Sequence, residues 1–221
     1  MQGMRSMATL LESDEVLKRG LDEVMRADPV LKDLVARGAV PKLRRRPPGF
    51  EGLAWIVIGQ QLSTASAAAI WERLKGLLDS HLPEAFLALS DEDLRGVGLS
   101  AGKIRTLRTA ASAILDGQLP LDGLHQFTAD DAHRMLTAVK GIGPWTADVY
   151  LLFCLGHPDA FPSGDLAVQE AARLAYGLEL RPDPKRLAAL AERWRPWRGV
   201  AAKVLWAHYR NVRAREGSPV S

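Results

Sequence analysis

Between Gly141 and Asp165 the chain reads GIGPWTADVYLLFCLGHPDAFPSGD. Three kinds of group in this stretch can do chemistry: glycine backbone, an indole and a carboxylate. Gly141 and Gly143 permit conformations that a Cβ would penalise, and they leave amide N–H groups uncovered where the next helix begins. Pro144 suits the first position of that helix, where its missing N–H is not needed. Such amides can receive a phosphate; a tight interhelical turn is the plainer use of the same residues. Trp145 presents a π face that attracts cations by about 0.5–2 kcal/mol, or else packs in the core. Asp165 stands before LAVQEAARLAYG, where it can cap a helix, and the positive end of that helix favours a negative group.

Helices must position these groups. Apolar residues recur at helical spacing along most of the chain, and no segment sustains the period-two alternation of a strand. Leu17, Leu21, Val24 and Met25 form one stripe. Asp28-Pro29 reads as an N-cap and first helical residue, with Gly38 closing that helix. FEGLAWIVIG is apolar on most sides, as a central helix would be. Ser63 starts the next helix, Ser90 with Asp93 and Thr128 with Asp131 resemble capping boxes, and Ser100 caps a helix that Gly117 ends. Later helices are expected near Asp165, Pro184 and Pro196. This makes roughly ten short helices and an all-α fold.

Bulk properties narrow the class. The 221 residues can bury a real core. With 29 Lys and Arg against 26 Asp and Glu, the net charge of +3 does not by itself select a nucleic-acid partner. The runs PKLRRR (Pro41 to Arg46) and HYRNVRARE (His208 to Glu216) serve as solvated faces or as phosphate contacts. The single cysteine, Cys154, excludes an intramolecular disulfide and a four-cysteine cluster, and its apolar surroundings suggest an inert thiol. The five histidines lack ligand-like spacing, which argues against zinc hydrolase chemistry. No secretory or membrane-spanning pattern is visible. A cytoplasmic, membrane-independent enzyme or binding protein is expected.

Two segments share a helix, Gly-apolar-Gly, helix pattern: LRGVGLSAGKIRTL (Leu94 to Leu107) and LTAVKGIGPWTADVY (Leu136 to Tyr150). The second, extended to LTAVKGIGPWTADVYLL, resembles the helix-hairpin-helix of the HhH-GPD DNA glycosylase superfamily. GHPDAFPSGD resembles that family's Gly/Pro-rich loop, with Asp165 at the catalytic position. FEGLAWIVIGQQLSTASAAAIWERL is similar to the alkylbase-glycosylase signature, and AERWRPWRGVAAKVLWAHY to that branch's C-terminal helix. The four motifs fall in the family's order from about residue 48 to 210. The nearest type is 3-methyladenine DNA glycosylase II, in a short form without an N-terminal β-domain.

The resemblance implies a two-lobed helical fold with a central DNA-binding cleft. One lobe would span 50–164 and carry the hairpin at about 136–150; 1–49 and 165–221 would form the other, with Trp206 facing Trp145 across the cleft. It implies a monofunctional base excision repair enzyme, acting as a monomer on double-stranded DNA that contains alkylated bases. Relatives that also cut the backbone place a Schiff-base lysine where this chain has Trp145. A cationic base leaves without protonation, so the lack of a convincing second carboxylate fits such substrates. Asp165 would offset charge growing on the deoxyribose, and Asp148 reads as a structural pairing or cap. Trp145 and Trp206 would wall the base pocket, with Tyr150 beside them. In some relatives the pocket tyrosine stands at the position of Val149.

By the same resemblance, Gln61 would be the wedge that fills the gap left by a flipped base, with Gln60 or Leu62 beside it. Without it, the two glutamines read as a polar helix end. Amides near Gly141, Gly143, Trp145 and Thr146 would hold a phosphate, with Lys103, Arg105 and Arg44 to Arg46 as generic phosphate contacts. No cofactor is required, but a structural Na or K ion is implied at the hairpin, on the carbonyls of Thr137, Val139 and Ile142. Two other readings stand beside this one: a bifunctional oxidised-base glycosylase/lyase, and a non-catalytic hairpin-type DNA-binding module.

Overall fold

Asp28 closes one helix and opens the next, as the Asp-Pro pair predicts. A computed structural model describes residues 9–80 and 82–216. In chain order the helices are α1 (Asp14–Ala27), α2 (Pro29–Ala36), α3 (Gly49–Gly59), α4 (Thr64–Lys75), α5 (Pro83–Ala88) and α6 (Asp91–Gly96). There follow α7 (Ala101–Leu115), α8 (Ala129–Thr137), α9 (Pro144–Tyr150), α10 (Leu166–Ala175), α11 (Pro184–Ala191) and α12 (Arg198–Glu216). Among the described residues, twelve α-helices thus replace the expected ten or so, joined by two 3₁₀ turns and a π-helical turn at Leu151–Leu155. There is no strand among the described residues, so the fold is all-α.

The described residues form two compact units, one drawn from Met1–Arg44 and Gly156–Ser221, the other from Arg45–Leu155. Within Arg45–Leu155, α3 is the centre. Its sequence is apolar nearly all round, and Phe50, Leu53, Ala54, Ile56, Val57 and Ile58 are buried, against α4, α7 and α9. Each of the larger side chains contributes about 1.5–3 kcal/mol by leaving water. Ser63, Ser100 and Thr128 cap α4, α7 and α8 through their side-chain oxygens. Ser90 and Asp93 form a full capping box on α6.

The other unit packs α1, α2 and α10 around α12. Asp28, 2% exposed, is its polar hub. One carboxylate oxygen caps α2 at the Val30 amide, while the other accepts the Tyr176 hydroxyl at 2.8 Å and the Trp194 indole N–H at 3.0 Å. A buried carboxylate with this many donors is fully satisfied.

The expected boundary at 164 moves. Residues 156–164 were assigned to the hairpin lobe, yet they group with Asp165. The reason is local bonding: Leu11 N–H donates to Gly156 O, and Gly199 N–H to Pro158 O, both at 2.7 Å. At the other boundary, Arg45 and Arg46 bond to the carbonyls of Cys154 and Phe153, which keeps them with the hairpin unit. The last helix starts at Arg198 rather than Pro196, because the Arg198 N–H is held by Asp159 Oδ1 at 3.2 Å.

Candidate active site

Asp165 is the N-cap of α10. Its Oδ1 accepts the amides of Ala167 and Val168 at 3.0 Å each. The same oxygen accepts the indole N–H of Trp206, from the middle of α12, also at 3.0 Å. Three donors converge on one oxygen of a half-buried carboxylate, and two of them belong to a helix N-terminus, where a negative group is favoured. The sequence suggested Trp206 only as a pocket wall; its N–H also orients the carboxylate. The neighbouring Leu166 is 61% exposed at the first position of α10.

A second rung fixes the same two elements. Asp159, in the loop before Asp165, accepts Arg198 Nε at 2.9 Å and a terminal Arg198 nitrogen at 3.0 Å. Arg195 adds a third bond at 2.6 Å. Asp159 and Arg198 are each 7% exposed, and such a two-pronged buried pair is rigid. Arg198 lies about two turns before Trp206 on α12. Loop and helix are thus joined at Asp159–Arg198 and again at Asp165–Trp206. Sequence reading missed the first rung, since nothing local marks a loop aspartate as the partner of an arginine on the last helix.

The hairpin lies in the unit Arg45–Leu155. Gly141 needs to be glycine, for its φ is +98° and a Cβ there would collide with Thr106 Oγ1. Gly143 does not fit the expectation of special backbone freedom. Its φ of −83° and ψ of 168° are open to any residue, and nothing stands within 4 Å of a Cβ there.

Its role is read from the parallel hairpin instead. Gly98 (φ +104°), Leu99 and Ser100 correspond to Gly141, Ile142 and Gly143 as left-handed turn, buried apolar residue and N-cap. Ser100 covers the α7 amides with its hydroxyl, whereas Gly143 brings no side-chain cap to α9. The second hairpin thus lacks the side-chain cap that the first one has, and a backbone N-terminus without such a cap can take an outside acceptor.

Trp145 is half-buried in the first turn of α9. Asp148 pairs with His133 Nδ1 at 2.9 Å, bracing α8 against α9, in keeping with its structural reading. Thr137 folds its hydroxyl onto the carbonyls of His133 and Arg134, and the Val139 carbonyl accepts Ile142 N–H. The backbone oxygens of Thr137, Val139 and Ile142 are neutral carbonyls, of a kind that can ligate a cation. Among the described residues no group of three or more His, Cys, Asp or Glu could hold a metal.

Expectations for Tyr150, Gln60 and Lys103 change. Tyr150 is not a pocket residue: it is fully buried, and its hydroxyl accepts Gly49 N–H at 3.0 Å. Burial pushes that phenol far above its ordinary range. Thr146 keeps its side chain inside, 2% exposed, where Oγ1 accepts Gln60 Nε2 at 2.7 Å. Gln60 is therefore tied down and cannot be the wedge. Lys103 is not a free phosphate contact, because its Nζ donates to Ile58 O at 2.7 Å and Gln60 O at 2.9 Å. Partial burial lowers its pKa from the usual lysine value.

Gln61 and Leu62 remain exposed at the tip. Gln61 has a φ of +56° and is the one non-glycine with positive φ among the described residues. Strain of this kind costs about 1–3 kcal/mol and persists where the surroundings enforce it. Arg45 donates to Cys154 O while remaining exposed, and half-buried Arg46 lies over the Trp55 ring at 3.4 Å. Arg44 and Arg105 are exposed.

Known proteins resemble this chain in sequence and in fold. Residues 54–196 match the family described as HhH-GPD superfamily base excision DNA repair protein. DNA-3-methyladenine glycosylase 1 of Schizosaccharomyces pombe is 30% identical over 90% of this chain and 87% of its own. DNA-3-methyladenine glycosylase of Bacillus subtilis is 26% identical over 83% of this chain, which spans 65% of that protein's length. Among solved structures, a DNA-3-methyladenine glycosidase from Bacillus halodurans superposes with a TM-score of 0.79 at 30% identity, covering 96% of this chain and 95% of that one. An S. pombe 3-methyladenine DNA glycosylase in complex with abasic DNA gives 0.74 at 28% identity, covering 85% and 95%.

Proposed function

Because the chain belongs to the HhH-GPD superfamily of base excision DNA repair proteins, we propose that it is a monofunctional DNA glycosylase for alkylated bases. It takes a base of the 3-methyladenine type out of double-stranded DNA, hydrolyses the N-glycosidic bond and leaves an abasic site. The observation that carries this reading is the Asp165 carboxylate, fixed by two helix amides and the Trp206 indole. As the base departs, positive charge grows on the deoxyribose. A preorganised anion offsets that charge and orients the attacking water without rearranging as the reaction proceeds. Trp206 is then a positioning residue for Asp165.

Trp145 supports the monofunctional assignment, since an indole cannot form the imine that a lyase needs. Its face also favours a cationic base by about 0.5–2 kcal/mol. The hairpin amides of Gly143, Trp145 and Thr146 would receive a DNA phosphate. A monovalent cation on the carbonyls of Thr137, Val139 and Ile142 would add positive charge beside it. The names of the relatives, and the abasic DNA bound by one of them, support the same substrate class. As a repair enzyme it would act on DNA inside the cell, as a single chain. No described helix is long and apolar enough to cross a membrane.

The test is incubation with a duplex carrying one defined methylated purine. Release of the free base, with the strand intact until alkali is added, is the expected result. Binding without base release would overturn the reading in favour of a DNA-binding module, and cleavage of the strand without alkali would favour a lyase.

A further inference from the structure

The first hairpin repeats the pattern of the second, with the Ser100 hydroxyl at its N-cap. Its second helix, α7, makes contacts that reach both the exposed tip after α3 and the second hairpin. Lys103 on α7 donates to the carbonyls of Ile58 and Gln60, at the end of α3 where the chain enters the exposed tip. A positive group there complements the unsatisfied carbonyls of the helix C-terminus. One turn farther along α7, Thr106 lies against the Gly141 turn so closely that a Cβ on Gly141 would collide with it. The third side runs directly from tip to hairpin, where Gln60 Nε2 donates to the buried Thr146 Oγ1 at 2.7 Å. The tip, the hairpin turn and α7 thus form a closed triangle within one unit. Gln61, in left-handed backbone, lies next to a residue that two of its sides hold.

We propose that α7 is a strut, in which Lys103 and Thr106 are positioning residues that set the spacing between the hairpin's grip on a phosphate and the Gln61 tip. This rests on the glycosylase reading above. A wedge is useful only if it meets the duplex at a fixed distance from the backbone grip. Binding free energy gained at the phosphate is then transmitted as force on the base stack. If the tip were loose, the protein would bind DNA and let the tip relax instead of the duplex. Lys103 acts through Gln60 and Gln61 and touches no reacting atom.

The test compares wild type, Lys103→Met and Lys103→Arg on one methylated purine held either in a duplex or in an unpaired loop. A base already out of the stack needs little help to leave it. Loss of charge-assisted hydrogen bonds predicts duplex base release about tenfold to a hundredfold slower in Lys103→Met. Release from the loop should fall less than about threefold, abasic-DNA affinity should hold, and Lys103→Arg should restore much of the duplex rate. The rise in 2-aminopurine fluorescence beside the lesion on binding, which reports extrusion without chemistry, should shrink in Lys103→Met. Equal loss on both substrates, or no loss on either, would overturn the strut. Were the wild type to release no base from either substrate, the glycosylase reading would fail, and the fluorescence comparison would still decide the strut. Should Lys103→Met not fold, Gln60→Ala cuts another side of the triangle and takes its place in the same comparison.

Discussion

Replacing Asp165 with asparagine separates its two jobs. Oδ1 carries all three hydrogen bonds given above, and an asparagine in the same rotamer keeps that oxygen as an amide carbonyl. Asparagine caps helices about as well as aspartate, so the loss at the helix end is chiefly the charge–dipole contribution, about 0.3–1 kcal/mol. In a chain of this size each kcal/mol shifts Tm by about 2–4 °C, so Asp165→Asn should melt within about 4 °C of wild type. The catalytic loss should be far larger. A preorganised electrostatic partner is worth about 2.7–4 kcal/mol, a factor of about 10²–10³ in rate.

Asp165→Ala also loses the cap, a further cost of about 0.5–2 kcal/mol, and should melt lower than Asp165→Asn. Single-turnover release of a methylated base gives the rate, circular dichroism the melting point, and fluorescence anisotropy with abasic DNA the affinity. Both variants should bind DNA nearly as wild type does. If Asp165→Asn releases base within threefold of wild type while Asp165→Ala melts early, the residue is only a cap and the mechanism fails.

Other outcomes follow from the same geometry. Trp206→Phe removes one N–H donor to the carboxylate, a bond to a charged group worth about 1.5–3 kcal/mol. Single-turnover release should therefore slow by about tenfold to a hundredfold, less than in Asp165→Asn, with little change in affinity for abasic DNA. Gly141→Ala must adopt φ +98° against Thr106 and should lose about 1–3 kcal/mol in urea unfolding, whereas Gly143→Ala should unfold within about 0.5 kcal/mol of wild type. Burial pushes the Cys154 thiol up to about 12, so iodoacetamide at pH 8 should label it only after unfolding. As the unfolded thiol ionises near 9, rising pH between about 9 and 12 favours the unfolded chain, by at most about 1.4 kcal/mol per pH unit. Urea midpoints of wild type should fall relative to Cys154→Ala over that range.

Much of the helical framework was legible in the sequence because its signals are local. A cap bonds to an amide two or three residues on, so Asp28, Ser90, Ser100, Thr128 and Asp165 announce their helices whatever the rest of the chain does. The apolar run from Phe50 to Ile58 likewise required a central helix, since too little of its surface is polar to face water. The candidate residues could be named in the same way, by type and spacing.

Their functions within the fold could not be read from spacing. Tyr150 bonds to Gly49 across a hundred residues of chain, Lys103 reaches back to Ile58, and Arg198 finds Asp159. Each of these pairings exists only because particular helix faces pack together, and helical periodicity identifies an apolar face but not its partner. A polar group's fate depends on which donors and acceptors remain once the apolar faces are buried. Sequence determined that this chain would be a set of capped helices carrying a turn, an indole and a carboxylate. Tertiary packing decided that Lys103 and Tyr150 support the structure and that an indole N–H holds Asp165, because only packing brings distant polar groups within hydrogen-bonding distance.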